Sequence, residues 1–206
     1  MTKVKICGLT TPEDALFVAG AGADVLGFVF VPGTPRYIDP ASAAIIIKGL
    51  PLFVHTVGVF ADAPLGDVKE TAELCRLDFV QLHGEESPEY CAQAGMKVIK
   101  AIRVRGPESL KGLARYRVEA FLLDTHAGDR LGGTGKTFAW DLALAAKGEG
   151  RIILSGGLNP ENVATAIRQI RPYGVDVSSG VEASPGRKDP EKVRRFLEQV
   201  RHADQG

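Results

Sequence analysis

One complete strand–helix–strand unit lies in residues 152–178, IILSGGLNPENVATAIRQIRPYGVDVS. The apolar run at 152–154 predicts a strand, and the Asn-Pro pair at 159–160 predicts the start of a helix. A second apolar run at 175–178 predicts another strand. Parallel strands need a crossover of this kind between them, so we expect the unit to build a parallel sheet.

The same unit recurs along the whole chain. Eight apolar runs predict strands at residues 4–7, 25–31, 53–60, 79–82, 98–104, 121–124, 152–154 and 175–178. Helices are predicted between them, including one at 107–115 and one around 140–146. Strict alternation of strands and helices predicts a parallel α/β sheet, and eight units is the number in a (β/α)8 TIM barrel.

An open, doubly wound sheet is the alternative architecture. It normally carries a nucleotide-binding fingerprint after the first strand, where this chain reads Cys7-Gly8-Leu9-Thr10. No linker or low-complexity segment interrupts the chain. We therefore expect a single (β/α)8 barrel with eight parallel strands, forming one catalytic domain over residues 1–206.

Composition limits the classes of partner. The 206 residues include 25 Lys and Arg and 25 Asp and Glu, so no overall charge attracts nucleic acid or a membrane surface. No apolar run approaches the roughly 18 residues of a membrane span, and the N-terminus has no apolar signal region. The three cysteines have no CxxC spacing, which fits a reducing cytoplasm.

A thiol and a carboxylate end two of the predicted strands, Cys7 the first and Asp124 the sixth. In a closed barrel both would face the same mouth, where an acid and a base could act on one substrate. The alternatives are a buried packing cysteine and a carboxylate that caps a loop. Strand alternation puts Lys5 on the face of Cys7, where a cation favours the thiolate, and Asp176 on the eighth strand could pair with Lys5.

Gly and Ser residues follow the last two strands. Gly156 and Gly157 follow the seventh, and Ser178, Ser179 and Gly180 follow the eighth. Loops in this position often bind phosphate through backbone N–H groups, which glycine leaves accessible. Two tight turns are the alternative, and two adjacent loops of this composition favour phosphate.

Arg36 and His83 follow the second and fourth strands. Arg36 could bind a carboxylate or phosphate as a fork or be a solvated loop charge, and His83 could line the site or bond a loop carbonyl. The remaining histidines have no metal-ligand spacing, so no catalytic metal is expected. The Gly-rich loop at 125–137 lacks the first glycine of a P-loop, and we interpret it as a flap over the mouth.

In family order, the motifs together resemble the phosphoribosylanthranilate isomerase family over nearly the whole chain. The matching segments are 5–8 (KICG), 27–30 (GFVF), 36–37 (RY), 57–60 (VGVF), 81–84 (QLHG), 123–125 (LDT), 132–138 (GGTGKTF), 154–158 (LSGGL) and 175–182 (VDVSSGVE). Two positions depart from the family pattern. Ala139 stands where the family usually has Asp, and Thr34 stands where it often has Ser.

The resemblance implies a (β/α)8 barrel that catalyses an Amadori rearrangement in tryptophan biosynthesis without metal or organic cofactor. It implies that Cys7 is the general base and Asp124 the general acid. It further implies that Arg36 holds the anthranilate carboxylate and that the last two strand loops hold the phosphate of a phosphorylated sugar–anthranilate substrate. We also predict that Asp176 and His83 bind the substrate.

Two other functions remain open at this point. One is a different sugar-phosphate enzyme on the same barrel, for which paired acidic residues at strands one and five would be expected. Those strand ends carry Cys7 and Arg103 instead. The other is a phosphate-binding barrel without catalysis, which the pairing of Cys7 with Asp124 argues against.

An apolar segment at 45–53, IIIKGLPLF, joins the second helix to the third strand. Three consecutive isoleucines cannot all face the core of one amphipathic helix. Neighbouring helices could cover the excess, or a partner could. Because closed two-fold assemblies are the commonest, we predict a homodimer with Leu52 and Phe53 near its contact.

Overall fold

The predicted strands close into a barrel in the computed structural model, which describes residues 1–124 and 142–205. All eight strands are parallel, they lie in chain order, and β8 pairs with β1. Their bounds are β1 Lys3–Cys7, β2 Val25–Val29, β3 His55–Phe60, β4 Phe79–Leu82, β5 Val98–Arg103, β6 Ala120–Asp124, β7 Ile152–Ser155 and β8 Gly174–Val177. The expected (β/α)8 barrel is therefore confirmed, and the open sheet is excluded.

Helices surround the barrel. They are α1 Pro12–Ala21, α2 Pro40–Lys48, α3 Leu65–Cys75, α4 Pro88–Gln93, α5 Val163–Ile170 and α6 Pro190–Gln205, and residues 142–145 are also helical. Three helices begin at a capping side chain. The side chains of Thr11, Asp39 and Ser87 accept backbone N–H bonds from the third residue after each of them, and proline follows each cap.

Two apolar layers hold the barrel together. A small cluster fills its interior: Val57, Ile99, Ala101, Ala120, Leu122 and Ile153. A larger layer lies between strands and helices and includes Phe28, Leu154 and Phe196, each fully buried. Because side chains alternate along each strand, the same strands supply both layers.

The helix predicted at 107–115 is wrong. This segment forms two short 3-10 turns, Pro107–Leu110 and Leu113–Arg115. Gly112 separates them with φ 80°, a left-handed conformation that a continuous α-helix cannot contain. The crossover from β5 to β6 is therefore not an α-helix.

A short hairpin follows β8 and has no counterpart in the predicted elements. Its strands are β9 Glu182–Ser184 and β10 Arg187–Lys188, which pair antiparallel. The hairpin returns the chain to β1, where the Lys188 side chain reaches the carbonyl oxygen of Cys7. It therefore joins the closing seam of the barrel from outside.

The flap predicted at 125–137 and the first two residues of the helix expected around 140–146 lie outside the described residues, and 142–145 are helical as predicted. In the part of the chain that the structure covers, no helix is long and apolar enough to cross a membrane.

Candidate active site

Cys7 ends β1 at the carboxyl-terminal mouth of the barrel, and it is only 7% exposed. Its register partner is Gly27 on β2. A Cβ atom at Gly27 would lie 2.8 Å from the Cys7 Sγ, so the missing side chain of Gly27 makes room for the thiol. The strand pairing thereby fixes where the sulfur can sit.

Lys5 and Asp176 form the buried ion pair that the strand alternation predicts. Lys5 Nζ lies 2.8 Å from Asp176 Oδ1, and Ser155 Oγ lies 3.0 Å from Asp176 Oδ2. Burial alone would lower the pKa of Lys5, but Asp176 and Cys7 outweigh burial and raise that pKa to about 12. A permanent cation therefore lies one inward-facing position below Cys7, where it favours a thiolate.

Asp124 ends β6 with about a quarter of its side chain exposed. His83 Nε2 lies 3.4 Å from Asp124 Oδ2, and His83 Nδ1 lies 2.9 Å from the Gln81 amide nitrogen. The Gln81 amide and the Asp124 carboxyl therefore contact the two different nitrogens of the His83 ring. His83 thus lies beside Asp124 and lines the site, which is the first of its two predicted roles.

Arg36 forms an ion pair with a carboxylate of the protein, Glu182, which the sequence analysis did not predict. Its Nε and Nη2 donate to the two oxygens of Glu182, at 2.8 and 2.6 Å. A guanidinium has five N–H donors arranged along two forked edges. Glu182 takes the Nε–Nη2 edge, and the Nη1–Nη2 edge can take a second carboxylate. The observed ion pair is therefore compatible with the predicted role of Arg36.

The Gly/Ser loops after β7 and β8 lie side by side at the mouth. Gly156 and Gly157 have φ 91° and 67°, a conformation that leaves their backbone open to a ligand. The buried hydroxyl oxygen of Ser178 has no hydrogen-bond partner among the described residues. An orphaned hydroxyl next to accessible backbone is suited to an anion.

These groups share one cavity of about 400 Å³. Its wall includes every predicted site residue except Gly180: Cys7, Arg36, His83, Asp124, Gly156, Gly157, Asp176, Ser178 and Ser179. Gly180 lies behind the wall, where a Cβ atom would overlap the carbonyl oxygen of Leu158. Gly180 therefore allows the two loops to pack together, and direct contact with a ligand remains a prediction for it.

Comparison with known proteins agrees with this geometry. Residues 4–199 match the family model of N-(5'-phosphoribosyl)anthranilate isomerase. An N-(5'-phosphoribosyl)anthranilate isomerase from Geobacter sp. (strain M21) is 61% identical over 201 residues, which cover 98% of both chains. The chain belongs to the N-(5'-phosphoribosyl)anthranilate isomerase family. It is thus an isomerase of tryptophan biosynthesis, as the motif order indicated.

Solved isomerases of this family have the same fold. The phosphoribosyl anthranilate isomerase of Thermotoga maritima matches with a TM-score of 0.91 and 46% identity, covering 98% of this chain and all of its own. A phosphoribosyl anthranilate isomerase in complex with reduced 1-(o-carboxyphenylamino)-1-deoxyribulose 5-phosphate matches with a TM-score of 0.89 and 43% identity over the same shares. The enzyme from Thermus thermophilus matches at 0.86 and 40%, over 98% of this chain and 99% of its own.

The remaining cysteines lie away from the isomerase site. Cys75 and Cys91 are buried in helices α3 and α4, and burial raises the pKa of each to about 11. Both stay protonated near neutral pH and pack as apolar residues, as predicted. Within residues 1–124 and 142–205 no cluster of three or more His, Cys, Asp or Glu could hold a metal ion. That no metal or cofactor takes part stays a prediction.

Three residues around the site were not assigned by sequence reasoning. Gln81 orients His83, Glu182 holds Arg36, and Lys188 reaches Cys7 from behind. Gln81 and Glu182 belong to quoted motifs, and Glu182 could have been noticed as a carboxylate directly after the eighth strand loop. Lys188 has no sequence signal, because only the hairpin brings it back to β1.

Proposed function

We propose that this isomerase converts N-(5-phosphoribosyl)anthranilate into 1-(2-carboxyphenylamino)-1-deoxyribulose 5-phosphate, with Cys7 as general base and Asp124 as general acid. One observation carries the proposal. The thiol and the carboxylate line the same cavity of about 400 Å³, between a guanidinium and two Gly/Ser loops. The solved relative that holds the reduced product analogue supports the choice of ligand.

Ring opening is the first step. The substrate is an aminoaldose closed as a furanose, and protonated Asp124 donates its proton to the ring oxygen. The C1'–O bond breaks as the lone pair of the anthranilate nitrogen forms a Schiff base. Since that lone pair supplies the electrons, no electrophilic cofactor is needed. The acid role requires Asp124 to carry a proton when the ring opens.

Proton abstraction is the second step. The Cys7 thiolate removes the proton from C2', and the electron pair moves toward the Schiff base to give an enolamine. Tautomerisation then places a proton on C1' and leaves a ketone at C2'. The substrate gains one proton from Asp124 and loses one to Cys7, so its composition is unchanged and the reaction is an isomerisation. Proton exchange with water returns Cys7 to the thiolate and Asp124 to the acid. The Lys5 ammonium below Cys7 supports the thiolate form that this step needs.

The cavity wall contains groups that could bind both anionic ends of the substrate. We assign its carboxylate to the Nη1–Nη2 edge of Arg36 and its phosphate to the loops at 156–157 and 178–180. The hydroxyl of Ser178 and the backbone of Gly156 and Gly157 are the groups that support this assignment. His83 and Asp176 contribute through their contacts with Asp124 and Lys5.

The purified protein and the fluorescent substrate provide the test. Wild type should consume N-(5-phosphoribosyl)anthranilate in buffer that contains a chelator and no added cofactor. Chromatography should show that the substrate is replaced by a product of the same mass. Absence of turnover by correctly folded protein would favour a phosphate-binding barrel, and turnover that needs an added metal would contradict the cofactor-free mechanism.

Assembly and location complete the proposal. We infer a homodimer that forms around Leu52 and Phe53, which are 93% and 97% exposed between α2 and β3. Ile45 of the three isoleucines is also exposed. A solved structure of monomers generated from the dimeric isomerase of Thermotoga maritima supports a dimer without locating its contact here. We place the single catalytic domain, residues 1–206, in the cytoplasm, because all three cysteines are unpaired.

A further inference from the structure

Lys188 has a buried ammonium group behind the site rather than in its wall. Its side chain is 1% exposed, and its Nζ donates to the carbonyl oxygens of Cys7 and Ser178 at 2.6 and 3.3 Å. Nζ also lies 2.9 Å from Glu182 Oε1. One cation therefore ties the end of β1 to the loop after β8, across the seam that closes the barrel.

Glu182 is the anion at the centre of this cluster. Its Oε1 accepts from Lys188 and from Arg36 Nε, and its Oε2 accepts from Arg36 Nη2. Burial would raise the pKa of Glu182, but the bonds from Arg36 and Lys188 outweigh burial and keep that pKa below its ordinary value. Glu182 thus stays ionised, and it fixes one edge of Arg36 while the other edge faces the cavity.

The cluster also leaves a net positive charge beside the thiol. Arg36 and Lys188 are two cations, and Glu182 is one anion. Other charged groups nearby are Lys5, which is paired with Asp176 below Cys7, Asp14, which accepts from the backbone N–H of Lys188, and Lys192, which donates to the carbonyl oxygen of Glu182. A thiolate at Cys7 is therefore formed next to an uncompensated cation, which favours it.

We propose that Glu182 and Lys188 are positioning residues that act on different parts of the reaction. Glu182 aligns Arg36 for the substrate carboxylate, and Lys188 holds the strand end that carries Cys7. The proposal rests on the proposed function, because it takes the isomerisation as the reaction being served. It predicts that the two variants have different kinetic signatures.

A second buried Lys–Glu pair provides a matched control. Lys100 Nζ donates to the carbonyl oxygens of Leu82 and Gly84 and lies 2.8 Å from Glu86 Oε2. Both side chains are as buried as those of the first pair. Glu86, however, holds backbone N–H groups of Asp62 and Gly84 and no arginine. Breaking either pair leaves a buried charge uncompensated, so both should lower thermal stability similarly.

Glu182→Gln tests the effect on Arg36. KM for the normal substrate should rise about tenfold, because an amide cannot hold the guanidinium as a charged fork. KM for an analogue without the anthranilate carboxylate should stay within about twofold of wild type. Phenylglyoxal should modify Arg36 faster in this variant than in wild type or Glu86→Gln, as measured by peptide mass spectrometry. An unchanged modification rate, or equal KM increases for both compounds, would overturn the assignment of Glu182.

Lys188→Met tests the effect on Cys7. The kcat should fall about tenfold with both compounds, because the base is displaced whatever the substrate carries. The pH midpoint of Cys7 alkylation by iodoacetamide should move upward, since a cation has been removed beside the thiol. Lys100→Met should leave that midpoint unchanged. If Lys188→Met does not fold, Lys188→Gln removes the same charge and retains a donor for one carbonyl.

The outcomes separate this proposal from the proposed function. If wild type does not turn over the substrate, the proposed function fails. The Arg36 modification rates and the Cys7 alkylation midpoints still test whether Glu182 holds Arg36 and whether Lys188 acts on Cys7. If Lys188→Met and Lys100→Met lose stability equally and show the same Cys7 midpoint, Lys188 is only structural and its positioning role is refuted.

Discussion

The two ends of the barrel carry cavities of nearly equal volume, about 400 Å³ at the mouth and about 380 Å³ at the amino-terminal end. The mouth is lined by a thiol, a carboxylate, a guanidinium and glycine-rich backbone. The wall of the other cavity includes aromatic rings and charged side chains of both signs: Lys3, Asp24, His55, Phe79, Glu119 and Arg151. Volume therefore does not distinguish the two ends, whereas the thiol and the glycine-rich backbone are found in the wall of the mouth.

The difference follows from strand direction. The carboxyl ends of the parallel strands all lie at the same mouth, so the residues at those strand ends share one space. At the opposite end the rings pair with cations, as where Lys97 lies over Phe79 and Arg151 over Tyr173. Such contacts stabilise a surface. We expect changes at the mouth to affect turnover and changes at the other end to affect assembly.

The largest effect is expected for the acid and the base. Cys7→Ser and Asp124→Asn should each lower kcat by about 10²- to 10⁴-fold, the range for one general acid or base. Steady-state kinetics with unchanged circular dichroism and melting temperature would check this. Cys75→Ser is the matched control and should stay active, because that thiol is protonated and remote. Near wild-type turnover in either site variant would refute its assigned role.

A smaller effect, on binding, is expected for Gly157→Val. The added side chain would cover the backbone that we assign to the phosphate, and KM should rise about 100-fold with a smaller change in kcat. Inorganic phosphate should inhibit wild type competitively and this variant poorly. Gly95→Val is the control, since Gly95 has a similar φ of 74° in a turn just before β5 at the other end. Equal phosphate inhibition of wild type and Gly157→Val would move the phosphate elsewhere.

Arg36→Met should follow, with KM for the normal substrate raised about 10- to 100-fold, since a charged fork is lost. An analogue that lacks the anthranilate carboxylate decides the cause. If Arg36 holds that group, variant and wild type should handle the analogue about equally. Equal impairment with both compounds would show that Arg36 acts on another part of the substrate.

The smallest effect on turnover is expected at the amino-terminal end. Leu52→Glu combined with Phe53→Glu should convert a dimer into monomers and leave kcat per subunit within about twofold. Sedimentation equilibrium at micromolar concentration gives the masses. Leu74→Glu, at a half-exposed leucine on α3, is the control and should leave the dimer intact. A wild-type mass near 22.0 kDa would refute the dimer, and a dimeric double variant would refute the contact.

Local signals predicted most of the fold. Caps at Thr11, Asp39 and Ser87 and the apolar strand runs depend on neighbours within a few residues, so they are readable along the chain. The prediction of a helix at 107–115 was wrong because Gly112 adopts a left-handed conformation that the sequence pattern does not show. The Lys5–Asp176 pair was predictable because barrel closure puts strand eight beside strand one.

The strand–helix period, the turn chemistry and the residues at strand ends predicted the barrel and brought the proposed acid and base to one mouth. The interaction partners of those residues could not be predicted in the same way. Glu182 meets Arg36 from 146 positions away, and Lys188 meets Cys7 from 181 positions away. Periodicity and propensity describe near neighbours, whereas such contacts exist only once β8 closes on β1 and the hairpin folds back over the seam. The conformation of the chain therefore follows from local preferences, and the alignment of its catalytic groups follows from closure.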